Sequence, residues 1–243
     1  MSRCAAIVLS AGVGSRMKSD IPKQYLMLGE RPVIYYCLKA FEESSVDTIV
    51  LVTGAGDEEY CRTQIVQRYG LTKVQHIVAG GKERYDSVYE GLRALKEDAA
   101  DYVLIHDGAR PVITQDIIER SIETVQKEKA CVAGMPVKDT IKVADRSDYA
   151  ISTPDRRTLW QVQTPQSFSY KCIMEAYRIL QEKQKSNETL PAITDDAMLV
   201  EQMTAMKIKL IQGSYENIKI TTPEDLLVAK LFLKKIEKLV DTV

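Results

Sequence analysis

Short apolar runs alternate with longer amphipathic stretches through the first half of the chain. The runs Cys4–Leu9, Thr48–Thr53, Val74–Val78, Tyr102–His106 and Cys131–Met135 are continuous and rich in Val, Ile or Leu. That is the pattern of strands buried on both faces. Between them, Pro32–Glu43, Glu58–Tyr69, Arg84–Lys96 and Gln115–Glu128 have helical periodicity, and Pro32 suits a first helical turn. The alternation predicts an α/β fold, a mostly parallel sheet with helices on both faces.

After Pro136 the rhythm changes. Val137–Val143 alternates like a strand and leads into DRSDYAISTPDRR, too long and too polar for a simple turn. This stretch reads as an extended β-arm leaving the body, or else as a surface loop. Helices resume at Tyr170–Glu182 and Asp195–Met203. Lys207–Ile211 and Asn217–Ile220 read as strands, and Pro223–Leu239 as a final helix with Thr222 as its N-cap. With no internal repeat, one domain carrying an inserted arm is the simplest organisation.

Composition narrows the function. Of 243 residues, 33 are Lys or Arg and 34 are Asp or Glu, so the net charge is −1. A protein that grips nucleic acid by blanketing charge is excluded, although a local basic pocket is not. No apolar run approaches the roughly 18 residues of a membrane span. The apolar start, Cys4–Leu9, is expected to be a buried strand and not a signal peptide. The five cysteines, Cys4, Cys37, Cys61, Cys131 and Cys172, form no CxxC pair. Neither a zinc ribbon nor a disulfide framework is indicated, and a reducing cytoplasm is expected.

Candidate chemistry gathers in three loops, each following a predicted strand. The first is SAGVGSRMK, where Gly12 and Gly14 let backbone N–H groups approach phosphate oxygens. A Walker A loop is excluded because no Gly-Lys-Ser/Thr follows. A dinucleotide fingerprint is excluded by Met17. The loop continues through Arg16, Lys18, Pro22 and Lys23, a basic stretch suited to a triphosphate. The second loop, AGGKERYDSV, has Gly80 and Gly81 for contact with a flat ligand, and Arg84 and Ser87 on the first helical turns; it could equally be a tight strand–helix connection. The third, IHDGARP, ends a strand with Asp107 beside Arg110. A carboxylate there, together with phosphates, is a usual way of holding Mg²⁺; it could equally cap a turn. His106 and His76 read as structural. The three loops are expected to converge on one sheet edge.

These segments, with PVKDTIK, LWQVQTPQSF, TDDAMLVE and NIKITTPEDL, resemble the 2-C-methyl-D-erythritol 4-phosphate cytidylyltransferase family in order and across residues 11–226. Ser10 and Lys82 depart from it, standing where Ala and Asp are frequent. The resemblance implies a single Rossmann-like nucleotidyltransferase domain over 1–243, with 137–157 a β-arm exchanged across a homodimer. It implies attack of a sugar-alcohol phosphate on the α-phosphorus of CTP, with pyrophosphate leaving and Mg²⁺ or another hard divalent cation as cofactor. By position, Arg16 and Lys23 match the transition-state stabilisers. Ala11, Gly12 and Gly14 match the triphosphate cradle, Gly81 and Ser87 the cytosine contacts, and Asp107 the metal ligand. Arg157 and Lys219 match the grip on the acceptor phosphate, with Arg110 and Thr140 beside it. Neither nucleic acid nor membrane is an implied partner. A pentitol-phosphate cytidylyltransferase, such as one for ribitol 5-phosphate, is the nearest alternative. A non-catalytic nucleotide-binding protein is a second, and an NAD-dependent oxidoreductase a third.

Overall fold

The structure, a computed structural model, describes residues 2–12, 17, 21–95, 100–186 and 192–240, with the backbone alone at 237–240. The first half contains β1 (Cys4–Ser10), β2 (Met27–Leu28), β3 (Arg31–Pro32), α1 (Val33–Glu42), β4 (Thr48–Thr53), α2 (Glu58–Tyr60), β5 (Val74–Ala79), α3 (Arg84–Ala94) and β6 (Tyr102–Asp107). The second half contains α4 (Gln115–Glu128), β7 (Ala130–Pro136), β8 (Val143–Ala144), β9 (Ala150–Ser152), β10 (Trp160–Ser169), α5 (Tyr170–Lys185), α6 (Asp196–Met203), β11 (Lys209–Gln212) and α7 (Pro223–Val240).

The main sheet has seven strands in the order β11-β7-β10-β6-β1-β4-β5. β1 pairs in parallel with β4 and β6, β4 with β5, and β7 with β11. One apolar cluster joins Cys37, Leu38 and Phe41 of α1 to Ile118 and Val125 of α4 on one face. A second joins Val88 and Leu92 of α3 to Ile173 and Tyr177 of α5 and Leu199 of α6 on the other. Strands covered on both faces must be apolar throughout, which is why β1 and β4 read as unbroken apolar runs. α7 packs Ala229 against Leu28, Val33 and Val112 in a smaller cluster beside the first loop.

The parallel body follows the hydrophobic pattern, and the departures have physical causes. β10 was not anticipated. It runs antiparallel between β6 and β7. Its buried positions include Gln163, Thr164, Gln166 and Ser167, so polarity hid it. Hydrogen bonds compensate Gln163, Thr164 and Gln166; for one, Gln166 Nε2 donates to Asp195 Oδ2 at 2.9 Å and Gln166 Oε1 accepts from Ala197 N at 2.9 Å. Val137–Val143 does not form the expected strand. β7 ends at Pro136, Val137 N bonds Leu159 O, and beyond it only the short β8–β9 pair forms, with Ile141 and Val143 exposed. Asn217–Ile220 is not a strand either. Asn217 is buried and donates from its side chain to Thr164 O, while Ile220 N bonds Ala109 O.

Smaller differences lie at helix ends. Glu58–Tyr69 is one turn of α2 followed by a π-helical segment, Cys61–Gln67. Pro32 stands one place before α1 and pairs in β3. At α7, Asp225 Oδ2 accepts from the N–H groups of Thr221 and Thr222, both at 2.8 Å. All five cysteines are free, and all but Cys172 are buried. Among the described residues, no helix is long and apolar enough to cross a membrane.

Candidate functional site

Adjacent parallel strands present their following loops at the same sheet edge, so β1, β5 and β6 bring their loops together at their carboxyl ends. Ala11, Gly12, Gly81, Ser87 and Asp107 line one cleft there. Lys23 and Lys219 close it from other segments. The packing depends on glycine: a Cβ at Gly80 would lie 2.5 Å from Ala11 Cβ and 2.7 Å from Ser87 Oγ. A short 3-10 turn, Lys23–Tyr25, carries the basic end of the first loop. Gln24 Nε2 ties it to Ser10 O at 2.6 Å, and Lys23 Nζ donates to Ile220 O at 2.8 Å.

Asp107 is the electrostatic centre. Its Oδ2 lies 2.7 Å from Lys219 Nζ and 3.9 Å from Arg110 Nε, and its Oδ1 lies 3.4 Å from Arg84 Nε. Burial pushes its pKa up, but Arg84, Lys219 and Arg110 outweigh burial and hold it well below the usual carboxylate range. The group is therefore a fixed anion at neutral pH. Arg110 sits behind it, mostly buried, with Nη1 donating to Asn217 O at 2.7 Å. Lys219 takes Asp107 as its carboxylate partner from a distant segment of the chain.

His106 is structural, as expected. Thr164 Oγ1 accepts from the Asp107 N–H at 3.1 Å. Arg110 O, 3.2 Å from His106 Nε2, can only accept, so Nε2 carries the proton of the neutral ring and Nδ1 accepts from Thr164 Oγ1 at 3.0 Å. Burial lowers its pKa to about 4, so the ring is neutral near pH 7. It braces the strand end that presents Asp107.

Three expected site residues do not line the cleft: Arg110, behind Asp107, and two on the arm. Thr140 and Arg157 are on the exposed arm and do not line this cleft. Arg157 pairs with Asp155, Nη2 to Oδ2 at 2.6 Å. Gly14 and Arg16 lie outside the described residues. The structure also adds Asp196, which the sequence reading singled out only as part of a matched segment. It is buried at the start of α6, 2.8 Å from Arg84 Nη2. A second acidic residue beside the helix-capping Asp195 was the available signal.

Among the described residues, no three His, Cys, Asp or Glu side chains converge as a metal cage. A hard cation at this edge would take one anionic ligand, Asp107, and fill its remaining positions from a bound phosphate and water. Mg²⁺ is commonly held in that way.

The model of the family described as 2-C-methyl-D-erythritol 4-phosphate cytidylyltransferase matches residues 4–235. A relative of that name from Lachnospira eligens is 56% identical over 94% of this chain and 98% of its own length. Another, from Lachnoclostridium phytofermentans, is 47% identical over 97% of this chain and 98% of its own. The crystal structure of 4-diphosphocytidyl-2C-methyl-D-erythritol synthase from Anaerococcus prevotii superposes with a TM-score of 0.81. It is 34% identical, with 96% of each chain covered.

Proposed function

The chain belongs to the 2-C-methyl-D-erythritol 4-phosphate cytidylyltransferase family, and on that premise we propose that it transfers CMP from CTP to 2-C-methyl-D-erythritol 4-phosphate. The products are pyrophosphate and 4-diphosphocytidyl-2-C-methyl-D-erythritol. One observation carries this reading: three strand-end loops, with Lys23 and Lys219, meet around the ionised Asp107.

An oxygen of the acceptor's phosphate monoester attacks the α-phosphorus, and the bond to the β-phosphate oxygen breaks. The attacking oxygen carries no proton at neutral pH, so no general base is required. Negative charge grows on the non-bridging and leaving oxygens, and fixed cations lower the barrier there. Lys23 supplies one, already held at the cleft by its bond to Ile220 O. Arg16 is assigned the same role by its place in the first loop. The backbone of Ala11, Gly12 and Gly14 donates to the triphosphate, and Gly81 and Ser87 meet the cytosine. Mg²⁺ or a similar cation, held by Asp107, adds charge neutralisation to the phosphates when bound.

Lys219 faces the acceptor side of Asp107, and Arg110 supports that carboxylate from behind. Arg157 and Thr140, remote from this chain's cleft, serve the cleft of a second copy, reached by the arm of residues 137–157. The arm's exposed Tyr149 and Ile151 support a homodimer. The free cysteines fit a cytoplasmic setting.

The test is pyrophosphate release with CTP, run side by side with methylerythritol phosphate and ribitol 5-phosphate. Release with the first acceptor, and at least tenfold less with the second, is expected. Equal use of both, or equal use of ATP in place of CTP, would overturn the assignment. Light scattering should give a dimer mass at micromolar concentration.

A further inference from the structure

We propose that Asp196 is a positioning residue for nucleotide transfer, acting through Arg84. The inference rests on the reading of the cleft as a CTP site. Asp196 does not line the cleft, and its side chain is only 1% exposed. A carboxylate removed from water needs fixed partners. It has two: Arg84 Nη2 at 2.8 Å, and the Tyr177 hydroxyl, which donates to Oδ1 at 3.3 Å.

Its own backbone is immobilised as well. The neighbouring Asp195 accepts from Met198 N and from Gln166 Nε2, and Gln166 in turn accepts from Ala197 N. The start of α6 is thus tied to β10, and the carboxylate cannot follow a moving arginine. Arg84 is the first residue of α3, reached from the Gly80–Gly81 turn through Lys82 and the N-cap Glu83. It does line the cleft. Its guanidinium is held on two edges, by Asp196 through Nη2 and by Asp107 through Nε at 3.4 Å. A planar fork fixed at two edges has one orientation.

The two contacts are unequal, and that inequality defines the role. The closer contact is the ion pair with Asp196, while the hydrogen bond from Nε goes to Asp107. Asp107 thereby remains oriented by Arg84 without being closed into a bidentate pair. The same clamp sets the distance between the glycine turn on the base side and Asp107 on the phosphate side. Without Asp196, Arg84 would collapse onto Asp107, and both ends of the nucleotide would lose their register.

The experiment is steady-state kinetics of Asp196→Asn, a near-isosteric change that keeps the hydrogen bond from Tyr177. The KM for CTP should rise about tenfold and kcat fall about tenfold, while the KM for the acceptor stays within twofold. A purely structural defect lowers the folded fraction, and so reduces kcat with both KM values unchanged; that result would overturn the proposal. Arg84→Lys keeps the charge but not the fork, and its site is partly exposed, so it serves if Asp196→Asn does not fold. It should reproduce the CTP-specific loss, and a wild-type KM for CTP would again overturn the proposal. Where both single variants fold, Asp196→Asn with Arg84→Lys should be no worse than either alone; multiplied losses would show that the residues act separately. Wild-type protein that releases no pyrophosphate from CTP would remove the reading of the cleft itself. Active wild type with an indifferent Asp196→Asn removes only this inference.

Discussion

Arg84 and Arg157 each hold an aspartate, in surroundings that make the two pairs different devices. At the cleft, the side chains of Arg84 and Asp196 are 29% and 1% exposed. On the arm, those of Arg157 and Asp155 are 86% and 48% exposed. Removing one member of a buried pair leaves a charge without water, a loss of about 3–5 kcal/mol. A solvated pair competes with water and salt and contributes little. The cleft thus keeps its geometry, while the solvated pair on the arm leaves Arg157 open to another anion, as the proposed acceptor contact requires.

The strongest way to break this contrast is at the cleft. Lys23→Ala should lower turnover by about 10²–10³-fold, the scale of one lost charge on the reacting phosphate. Pyrophosphate release measures it, and far-UV circular dichroism should not change. Asp107→Asn comes next, with a loss of about 10²-fold. It should also show the sign of the buried charge. The folded pKa of Asp107 lies below its unfolded value of about 3.9. Its contribution to stability is therefore present above that value and lost as the pH falls through the folded one. The urea midpoints of wild type and Asp107→Asn should differ most at neutral pH and converge in acid.

At the arm, Arg157→Ala should raise the acceptor KM about tenfold, with CTP affinity by calorimetry unchanged within threefold. Mixing it with Lys23→Ala subunits should restore activity, because one hybrid cleft then has both residues. A parallel loss of CTP binding would place Arg157 in the nucleotide site and dissolve the contrast. Smaller still is Asp155→Asn. Only a solvated partner is removed, so the melting temperature should hold and the acceptor KM should stay within threefold.

The brace behind Asp107 gives a test by pH alone. His106 has a folded pKa of about 4 against an unfolded value of about 6.5. Between those values the unfolded chain takes up a proton that the folded one refuses. Stability should fall by about 3 kcal/mol as the pH drops from about 6.5 to about 4. His106→Gln should flatten that limb in denaturant titrations.

Local physics made much of this molecule legible in advance. β4 and α4 follow their sequence patterns to the residue. An apolar run covered on both faces, and an amphipathic period of 3.6, leave little freedom. Cleft residues carried by glycine turns were legible for the same reason, since Gly12 and Gly81 closely follow a recognisable strand and Asp107 ends one. β10 was not, because its buried face is polar, and Thr164 and Gln166 find their partners on β6, α6 and the segment after β11. Val137–Val143 failed in the opposite sense: its alternation had no sheet edge to pair with.

The sequence by itself determined the parallel body, the edge at which the loops would gather, and the family. The first two follow from periods and spacings within a few tens of residues, and the third from the resemblance of motifs spread over residues 11–226. The tertiary structure alone decided which charges meet. Lys219 reaches Asp107, and Arg84 joins Asp107 to Asp196. Those partners lie far apart in the chain, and no periodicity relates them. Only chain packing puts them within 4 Å, and only burial there makes their charges hold.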